Sequence, residues 1–563
     1  MTSTEDFRRA RDLLLELHGD YQGARERFRW PRPERFNWAL DWFDAVAQGS
    51  PRPALRLLGK QGLTFEASFD EMRRRSNRTA NFLRRVGLRR GDRILLMLGN
   101  VPELWDTMLA AMKLGCPLVP TTTLMTGDDL AQRLDRGAVR AVITEPAYAH
   151  NFASLMGSRL GVVSEGAAPA GWQSLATSGR EPDGFEPEGV TRATDPLLLY
   201  FTSGTTAQPK LVVHTHASYP IGHLSTMYWL GVRPGDMHLN LSSPGWAKHA
   251  WSLFFAPWNA EATIVALQTA RFDPEHLMRE LVRNEVTSFC APPTVWRSLI
   301  QMPLRDYPVK LRELLSAGEP LNAEVISQVR AAWGLTIRDG YGQTETTLLV
   351  GNFAGQPITP GAMGLPAPGY DVVLRDPEGR HASEGEVCVR LANAPVGVMS
   401  GYLDDPERAA KVMRNGEYHT GDVAQRSEDG VFTYVGRNDD VFKSSDYRIS
   451  PFELESVLIE HPAVQEAAVV PSHDPQRLSV PKAFILLAPG HAPEAATALA
   501  ILRYVRQHVS PYKRIRRLEF QDLPKTISGK IRRVELRGTE SARDSSKRRP
   551  HEFWEEDFPE LAG

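Results

Sequence analysis

The sequence has few cysteines and no long apolar run, and each absence excludes a class of protein. Only three cysteines occur in 563 residues, at Cys116, Cys290 and Cys388, far apart and without metal-binding spacing. Such a sparse, odd set predicts reduced and buried thiols in a cytosol-like compartment rather than a disulfide framework. Because no run of about 18 or more apolar residues occurs, no membrane-spanning helix is expected.

The chain also lacks an excess of charge of either sign. Lysine and arginine number 66 and acidic residues number 68, for a formal net charge of −2. No nucleic-acid-binding surface is therefore predicted. The N-terminal stretch MTSTEDFRRARDLLLELHGD lacks the order of a signal peptide, and its acidic residues disfavour a mitochondrial presequence. We expect a cytoplasmic protein, either a monomer or a homodimer.

What the sequence does contain is an alternation of buried strands and helices. A capping box, Ser68 to Glu71, predicts the start of a helix that stops at Gly87. The runs DRILLMLGN, CPLVPT and AVRAVITE then indicate strands, and PELWDTMLAAMKLG and TGDDLAQRLDRG indicate helices. This alternation predicts an α/β fold with parallel, helix-covered sheets. Residues of about 157–195 are rich in glycine, proline and acid, and are expected to form loops.

The chain is too long for one compact core, so more than one domain is expected. Residues 1–436 are predicted to form a large N-terminal domain, closed by a β-rich piece that contains YDVVLRD, GEVCVRL and GVFTYVGR. Residues 437–540 indicate a small α+β domain. The segment 541–563 is dense in charges of both signs and is expected to be a mobile tail.

The stretch YFTSGTTAQPK, residues 200–210, predicts a phosphate-binding loop. It gathers hydroxyls, backbone N–H groups and a lysine directly after the buried run PLLLYF. Ligands of open α/β sheets bind at the carboxyl ends of strands, and anionic oxygens are natural partners of these groups. It is not the common P-loop, because the second glycine and the hydroxyl after the lysine are missing. A polar surface turn is the alternative.

An ordered set of motifs resembles the adenylate-forming synthetases. The motifs, in that family's order over about residues 35–538, are YFTSGTTAQPKLVVHTH, SAGEPL, DGYGQTETT, YHTGDVA, GRNDDVFKSSDYRISPFELE and PKTISGKIRR. Within the family, SSPGWAKHAWSLFFAPW and CAPPTVWRSLIQ look most similar to the medium-chain acyl-CoA synthetases. The resemblance implies an acid–thiol ligase that uses ATP to convert a carboxylic acid into an acyl-adenylate and then passes the acyl group to coenzyme A.

The resemblance also implies which residues bind the nucleotide. Those expected at the β- and γ-phosphates are Thr202, Ser203, Gly204, Thr205, Thr206 and Lys210. Those expected around the adenine are Gly318, Glu319, Pro320, Asp339, Gly340 and Tyr341. Tyr341 would stack on the adenine, with a buried structural tyrosine as the alternative. Thr344 would contact the α-phosphate, and Glu345 would bind Mg²⁺, which suits one carboxylate together with phosphate oxygens and water.

The later motifs imply a ribose site, a catalytic lysine and a hinge. Asp422 would bind the ribose hydroxyls and Arg437 the ribose or phosphate region, with a structural Asp–Arg pair as the alternative. Lys530 would be the catalytic lysine, because an ammonium group offsets charge where a carboxylate meets the α-phosphate. In the thioester-forming members the small domain rotates after the first step. Asp439, or its neighbour Asp440, occupies the hinge position.

The coenzyme A and acyl sites follow from the same resemblance. Ser445, Tyr447 and Arg448 would serve coenzyme A, but Asp446 stands where the family usually has a glycine. Thioester formation is therefore either weakened or accommodated by a backbone shift. The residues expected at the acyl pocket are His214, Trp246, Ala247, Lys248 and Gly342, with a packed core position as the alternative for Trp246. Acetate-specific relatives have a tryptophan at the position of Gly342, so a medium-chain, branched or aromatic acid is expected here.

Two other functions are also compatible with the sequence. The enzyme could stop at the acyl-adenylate or use another acceptor, although no carrier domain follows Lys530. Alternatively, the chain could be a catalytically silent homologue that acts as a binding protein. The presence of Lys530, Glu345 and Asp422 disfavours the hypothesis of a catalytically silent binding protein.

Overall fold

The computed structural model describes residues 2–202, 209–269, 272–319, 321–444, 447–474, 478–526, 530–543 and 547–561. The chain divides into two compact units. The first contains Met1–Val372 and Val389–Tyr418, and the second contains Val373–Cys388 and His419–Gly563. The predicted β-rich segments therefore contribute mainly to the second unit. A domain boundary at residue 436 stays a prediction.

The helices and strands have the following bounds. The α-helices are α1 Ser3–Glu16, α2 Tyr21–Arg27, α3 Ala45–Ala47, α4 Phe69–Arg85, α5 Pro102–Leu114, α6 Gly127–Arg136, α7 His223–Leu230, α8 Ala247–Ala250, α9 Ala256–Asn259, α10 Pro274–Arg283, α11 Pro293–Leu299, α12 Ala323–Trp333, α13 Pro406–Val412, α14 Pro451–Ile459, α15 Ala495–His508 and α16 Arg533–Ser541. The strands are β1 Pro53–Gly59, β2 Gly62–Ser68, β3 Arg93–Met97, β4 Leu118–Pro120, β5 Val139–Thr144, β6 Leu160–Val163, β7 Gln173–Ser174, β8 Pro196–Thr202, β9 Lys210–Thr215, β10 Met237–Asn240, β11 Thr263–Leu267, β12 Ser288–Ala291, β13 Glu313–Ala317, β14 Ile337–Gly342, β15 Leu348–Gly351, β16 Leu365–Pro366, β17 Val372–Arg375, β18 Glu384–Arg390, β19 Gly401–Tyr402, β20 Met413–Arg414, β21 Glu417–Arg426, β22 Phe432–Arg437, β23 Phe442–Ser444, β24 Tyr447–Ile449, β25 Val464–Asp474, β26 Leu478–Leu487, β27 Arg517–Phe520 and β28 Glu552–Trp554.

Two mixed sheets with mainly parallel centres form the first unit. One has the strand order β16-β15-β14-β13-β12-β10-β11-β1-β2 and the other β19-β9-β8-β4-β3-β5-β6-β7. Strands β3, β4 and β5 pair in parallel and are separated in sequence by α5 and α6, as the apolar runs predicted. Helix α4 begins where expected, because the Ser68 hydroxyl accepts the Glu71 N–H at 3.1 Å. It ends before Gly87, whose φ of 107° favours glycine. The α/β prediction is confirmed.

The loop expected at residues 157–195 is interrupted by short strands. Leu160–Val163 forms β6, which pairs in parallel with β5, and Gln173–Ser174 adds β7 to the edge of the same sheet. The four residues of β6 are too few to show a periodicity among the surrounding glycines and prolines, so this part of the expectation is wrong. The sheet is therefore wider than the sequence indicated.

The second unit is built mainly around the sheet β25-β26-β27-β28. Helices α14 and α15 pack on it through an apolar core that includes Leu454, Ile501 and Leu518. Strands β23 and β24 form a separate two-stranded ladder. Together these elements make the small α+β arrangement that was predicted.

The expectation of a mobile C-terminal tail is wrong for residues 547–561. Strand β28 pairs antiparallel with β27, and Phe558 and Leu561 are buried in the core of the second unit. Lys482, which is fully buried, contacts Glu519, Glu540 and Glu552 at 2.6, 3.0 and 2.9 Å. Glu552, a charge of this segment, is therefore paired with the buried Lys482 instead of being solvated.

Among the described residues, no helix is both long enough and apolar enough to cross a membrane.

Candidate active site

Strands β8 and β9 flank the predicted phosphate loop. Thr202, the last residue of β8, pairs antiparallel with Lys210, the first residue of β9, so the chain reverses direction between them. Ser203, Gly204, Thr205 and Thr206 lie outside the described residues. Thr202 and Lys210, the two residues at the base of the loop, are both half-buried, and the Lys210 ammonium lies close to the Glu345 carboxylate.

Lys210, Glu345 and Tyr402 meet beside the base of this loop. The Tyr402 hydroxyl donates to Glu345 Oε1 at 3.0 Å, and the Lys210 ammonium lies 3.8 Å from the same oxygen. Lys210 Nζ also donates to the Tyr402 hydroxyl at 3.3 Å. Only 9% of Glu345 is exposed. A nearly buried carboxylate is thus held beside a cation, 135 positions away in sequence, where phosphate oxygens are predicted to bind.

His214 fixes the turn that contains Thr344 and Glu345. Its Nε2–H donates to the Thr344 carbonyl at 2.7 Å, and its Nδ1 faces the Ser218 hydroxyl at 3.1 Å. Burial lowers the pKa of His214 to about 4. The imidazole is therefore neutral at pH 7 and acts as a hydrogen-bond donor to the turn. The expectation that His214 lies at the acyl pocket stays a prediction, and its observed contact is with this turn.

The residues predicted around the adenine lie at the ends of two neighbouring parallel strands. In β13 and β14, Ser316 pairs with Asp339 and Ala317 with Gly340. Gly318 and Glu319 follow β13 at the edge where Tyr341 and Gly342 end β14, whereas Pro320 lies outside the described residues. Tyr341 is half-buried and pairs with Val350 on β15. The fold therefore brings these residues together at the carboxyl edge of the sheet, where ligands bind in such folds.

Asp339 is a buried carboxyl group behind this edge. Burial raises its pKa to about 7, although the Gly340 N–H at 2.9 Å and the charge of Lys248 act in the opposite direction. Near neutral pH the group is partly protonated, so it can donate as well as accept a hydrogen bond. Asp339 is therefore a buried and partly protonated group, unlike an exposed loop carboxylate.

The GWAK motif lies at the start of α8. Trp246 is half-buried, which disfavours the alternative of a packed core residue. Ala247 is the first residue of the helix, and Lys248 Nζ donates to the Ala317 carbonyl at 2.9 Å. Lys248 thus connects α8 to the end of β13, next to the predicted adenine residues.

The space beside Gly342 is filled, contrary to the expectation that this glycine leaves room. A Cβ added at Gly342 would overlap the Thr347 carbonyl oxygen and the ring of Trp251. Trp251 is almost fully buried, and its indole N–H donates to the Tyr219 hydroxyl at 2.8 Å. The residue that occupies this space is therefore a tryptophan from another part of the chain, 91 positions before Gly342.

In the second unit, Asp422 and Arg437 lie opposite each other on paired strands. Their register positions on β21 and β22 coincide, and Arg437 Nη1 donates to Asp422 Oδ1 at 3.3 Å. The Tyr434 hydroxyl donates to the same oxygen at 3.3 Å. Asp422 is only 4% exposed. The ribose role and the structural pair are both compatible with this geometry, so the ribose assignment remains a proposal.

Thr526 and Lys530 are hydrogen-bonded to each other in the second unit, and residues 527–529 between them lie outside the described residues. The Thr526 N–H donates to the Lys530 carbonyl at 2.8 Å, and the Lys530 N–H donates to the Thr526 hydroxyl at 3.1 Å. Lys530 is exposed. Lys525 instead pairs with Glu466 at 2.8 Å, as befits the surface residue that it was expected to be. Lys530 is therefore an exposed lysine whose backbone is fixed by its hydrogen bonds with Thr526.

The predicted hinge and coenzyme A residues are placed only in part. Asp439 lies in the turn after β22, where its carbonyl accepts a hydrogen bond from Arg537 at 2.7 Å and its carboxylate lies 3.6 Å from Arg437. Tyr447 and Arg448 lie on β24, in register with Ser444 and Lys443. Ser445 and Asp446 lie outside the described residues.

The profile of the AMP-binding enzyme family matches residues 43–403, and that of the AMP-binding enzyme C-terminal domain matches residues 453–530. The chain belongs to the AMP-binding enzyme family.

Individual relatives of this AMP-binding enzyme are similar over nearly their whole length. It is 42% identical to 4-hydroxybutyrate–CoA ligase 1 of Metallosphaera sedula, over 93% of each chain. It is 38% identical to the human mitochondrial acyl-coenzyme A synthetase ACSM3, over 92% of each chain. Among solved structures, an anthranilate CoA ligase in complex with anthranoyl-AMP superimposes with a TM-score of 0.83 at 28% identity, over 91% of this chain and 98% of that one. The predicted family resemblance is confirmed.

Two residues of the site in this AMP-binding enzyme were not predicted from its sequence. Tyr402 reaches Glu345 because the short strand β19 pairs with β9. Trp251 reaches Gly342 from the segment after α8. The tyrosine in SGYLDDP and the tryptophan in KHAWSLF carry no local signal of these contacts, since each contact depends on tertiary pairing.

Proposed function

We propose that this AMP-binding enzyme is an acyl-CoA synthetase, an acid–thiol ligase that converts a carboxylic acid, ATP and coenzyme A into acyl-CoA, AMP and pyrophosphate. The observation that carries the proposal is the convergence of Lys210, Glu345 and Tyr402 beside the predicted phosphate loop. A cation and a nearly buried carboxylate at that place suit a bound polyphosphate. The names of the relatives, which are CoA ligases, support the same reaction.

The first chemical step joins two anions, so charge neutralisation and positioning are the main requirements. A carboxylate oxygen attacks the α-phosphorus, and the bond from that phosphorus to the pyrophosphate oxygen breaks. Lys210 would neutralise charge on the leaving pyrophosphate, and Lys530 would do so where the carboxylate meets the α-phosphate. Thr344, on the turn fixed by His214, would donate its hydroxyl to the α-phosphate. In the second step the thiol of coenzyme A attacks the acyl carbon and AMP leaves.

The residues present fit a bound Mg²⁺, with Glu345 as its protein ligand. Mg²⁺ commonly uses one or two carboxylates and keeps several water molecules alongside substrate phosphates. Glu345 supplies such a carboxylate, oriented by the Tyr402 hydroxyl at 3.0 Å. When bound, the ion would supply positive charge to the phosphates. The role of the Tyr402 and Lys210 side chains would be to hold the Glu345 carboxylate in place.

The proposed ribose site is Asp422, with Arg437 and Tyr434 on the same carboxylate oxygen. An ionised carboxylate accepts hydrogen bonds only, so it can take both ribose hydroxyls. Tyr341, Gly318 and Glu319 would line the adenine. Asp439 would serve as the hinge, and Ser445, Tyr447 and Arg448 would contact coenzyme A.

The proposed substrate is a carboxylic acid larger than acetate, either medium-chain, branched or aromatic. Trp246, Ala247 and Lys248 would line the acyl pocket, and Trp251 would form the wall beside Gly342. The relatives are named for 4-hydroxybutyrate and for anthranilate, which differ widely in shape. A cytoplasmic location remains a proposal from the three buried cysteines, none of which forms a disulfide.

The test is magnesium-dependent exchange of labelled pyrophosphate into ATP, with a panel of acids from acetate to octanoate together with benzoate. Exchange with at least one acid larger than acetate, followed by thioester formation when coenzyme A is added, is expected. Glu345→Gln should abolish exchange, whereas the exposed Glu275→Gln should not. Exchange without any thioester would favour an adenylate-forming enzyme with another acceptor, and absence of exchange with every acid would contradict the proposal.

A further inference from the structure

Three side chains with metal-binding atoms meet in the second unit. Glu386 and Cys388 lie two positions apart on β18, so they point to the same face, and His419 lies on β21, which adjoins β18 in the sheet. His419 Nδ1 is 2.9 Å from Glu386 Oε2 and 3.3 Å from Cys388 Sγ. All three ligand atoms lie within 4.8 Å of one another. Spacing along the sequence did not reveal this cluster, because β-sheet pairing creates it.

The composition of the cluster suits a thiophilic divalent cation. Zn²⁺ binds sulfur at about 2.3 Å and imidazole nitrogen or carboxylate oxygen at about 2.0–2.2 Å, usually with tetrahedral geometry. Such geometry separates neighbouring ligand atoms by roughly 3.3–3.6 Å. The observed separations of 2.9 and 3.3 Å need to widen by only a few tenths of an ångström. A thiolate and a carboxylate together neutralise the charge of the ion.

We propose that Glu386, Cys388 and His419 bind a thiophilic divalent cation such as Zn²⁺, at a site separate from the Mg²⁺ site proposed at Glu345. The ion takes the place of the proton shared by Nδ1 of His419 and Oε2 of Glu386. Binding releases the thiol proton to solvent, and the imidazole then carries its proton on Nε2. A water molecule completes the coordination, as in three-ligand zinc sites.

Occupancy of this site also acts on the part of β21 that carries Asp422. The second carboxylate oxygen of Glu386, Oε1, accepts the Gly421 N–H at 3.0 Å. The Thr420 hydroxyl donates to the Val387 carbonyl at 2.8 Å and accepts the Asp422 N–H at 3.1 Å. A metal that moves Glu386 therefore moves the backbone beside Asp422. This consequence rests on the proposed function, whereas metal binding itself does not.

Cobalt titration tests the binding site directly. The purified full-length protein, in buffer with excess Mg²⁺ and no nucleotide, is titrated with Co²⁺. We expect a thiolate-to-cobalt charge-transfer absorption that saturates at one equivalent and disappears when Zn²⁺ is added. Cys388→Ala and His419→Gln should remove it, and Cys290→Ala, which deletes another buried cysteine, should keep it. An identical spectrum from wild type and Cys388→Ala would overturn the proposal.

Two further measurements keep the test decisive if a variant folds poorly. X-ray absorption of the zinc-loaded wild-type protein should show one sulfur at about 2.3 Å together with nitrogen or oxygen ligands. A zinc site without sulfur, or no stoichiometric zinc at all, would overturn the proposal. One equivalent of Zn²⁺ should raise the KM for ATP at least about fivefold in the wild type, the lower end of common allosteric couplings. Cys388→Ala should abolish that response, which separates it from displacement of Mg²⁺.

Discussion

The Tyr402 hydroxyl donates a hydrogen bond of 3.0 Å to Glu345 Oε1. Strand β19 brings Tyr402 alongside β9, in register with Val212, and so places it beside Lys210 and the Glu345 carboxylate. Because one carboxylate oxygen is thereby occupied and oriented, the proposed Mg²⁺ ligand is positioned before the nucleotide binds.

Tyr402→Phe should weaken nucleotide use without unfolding the protein. It removes the hydrogen bond to the Glu345 carboxylate and the longer one from Lys210. A hydrogen bond with a charged group is worth about 1.5–3 kcal/mol. We expect kcat/KM for magnesium-ATP in pyrophosphate exchange to fall by roughly 10–100-fold. Tyr504→Phe is the matched control, because the Tyr504 hydroxyl donates a similar bond of 3.2 Å to Glu460 elsewhere in the chain. Equal activity of Tyr402→Phe and wild type would contradict the proposed role of Tyr402 in positioning Glu345.

Acidification should destabilise the first unit through its buried imidazoles. Burial lowers the pKa of His214 and His238 to about 4, and of His216 and His249 to about 3, below the value of 6.5 for an exposed histidine. Because the unfolded chain binds protons more readily, stability is lost as the pH falls from 6.5 towards these lower values.

For His214 alone, the loss in the free energy of unfolding between pH 7.5 and pH 5 is about 2 kcal/mol. Urea unfolding of the wild type and of His214→Gln at both pH values checks this. Between these two pH values, the free energy of unfolding of His214→Gln should fall by about 2 kcal/mol less than that of the wild type. The surface variant His491→Gln should behave as the wild type, and a His214→Gln curve with the wild-type pH dependence would contradict the assignment.

Lys482→Met should selectively destabilise the second unit. Three buried glutamates surround this ammonium group, and removing one partner of a buried ion cluster typically costs about 3–5 kcal/mol. Trp554, on β28, is the one tryptophan in the second unit's part of the sequence. A fluorescence change that arises from Trp554 while the signals of the other tryptophans stay constant therefore reports on this region. Lys513→Met, which removes a more exposed pair with Glu453, is the control. An unchanged unfolding midpoint for Lys482→Met would show that the cluster does not hold the C-terminal segment.

Much of the fold could be predicted from local patterns, but the contacts that complete the site could not. The apolar runs around Arg93–Met97 and Pro102–Leu114 carry their own helix or strand signal, and the structure has β3 and α5 there. In contrast, β28 is short and lies among charged residues, and only its pairing with β27 and the buried Lys482 explain its order. Tyr402 is likewise placed by a two-residue strand.

The surroundings of Gly342 in the proposed acyl pocket also could not be predicted from the local sequence. Gly342 indicated an open pocket, since glycine has no side chain. The space beside it is nevertheless occupied by Trp251, because the chain folds back over 91 residues. Substitution of Gly342 by tryptophan would therefore not report on the pocket, because even a Cβ would overlap the Thr347 carbonyl oxygen.

Trp251→Leu is the sharper test of the proposed pocket wall. Removing the indole opens space beside Gly342, so kcat/KM for benzoate relative to butyrate should rise by roughly 10-fold or more. Trp296→Leu, which shortens a buried tryptophan in a different core cluster, should reduce stability without changing that ratio. Gly342→Ala should reduce activity with every acid. A benzoate-to-butyrate ratio that stays constant in Trp251→Leu would exclude Trp251 from the pocket.

The most direct test of the account is the rate of acyl-adenylate formation by Lys530→Ala, measured in a single turnover with the best acid of the panel. We predict a fall of about 100-fold or more, because the variant lacks the positive charge that we propose Lys530 supplies where the carboxylate meets the α-phosphate. Lys525→Ala, which removes the neighbouring lysine paired with Glu466, should retain the wild-type rate. Adenylate formation by Lys530→Ala at the wild-type rate would contradict the proposed mechanism.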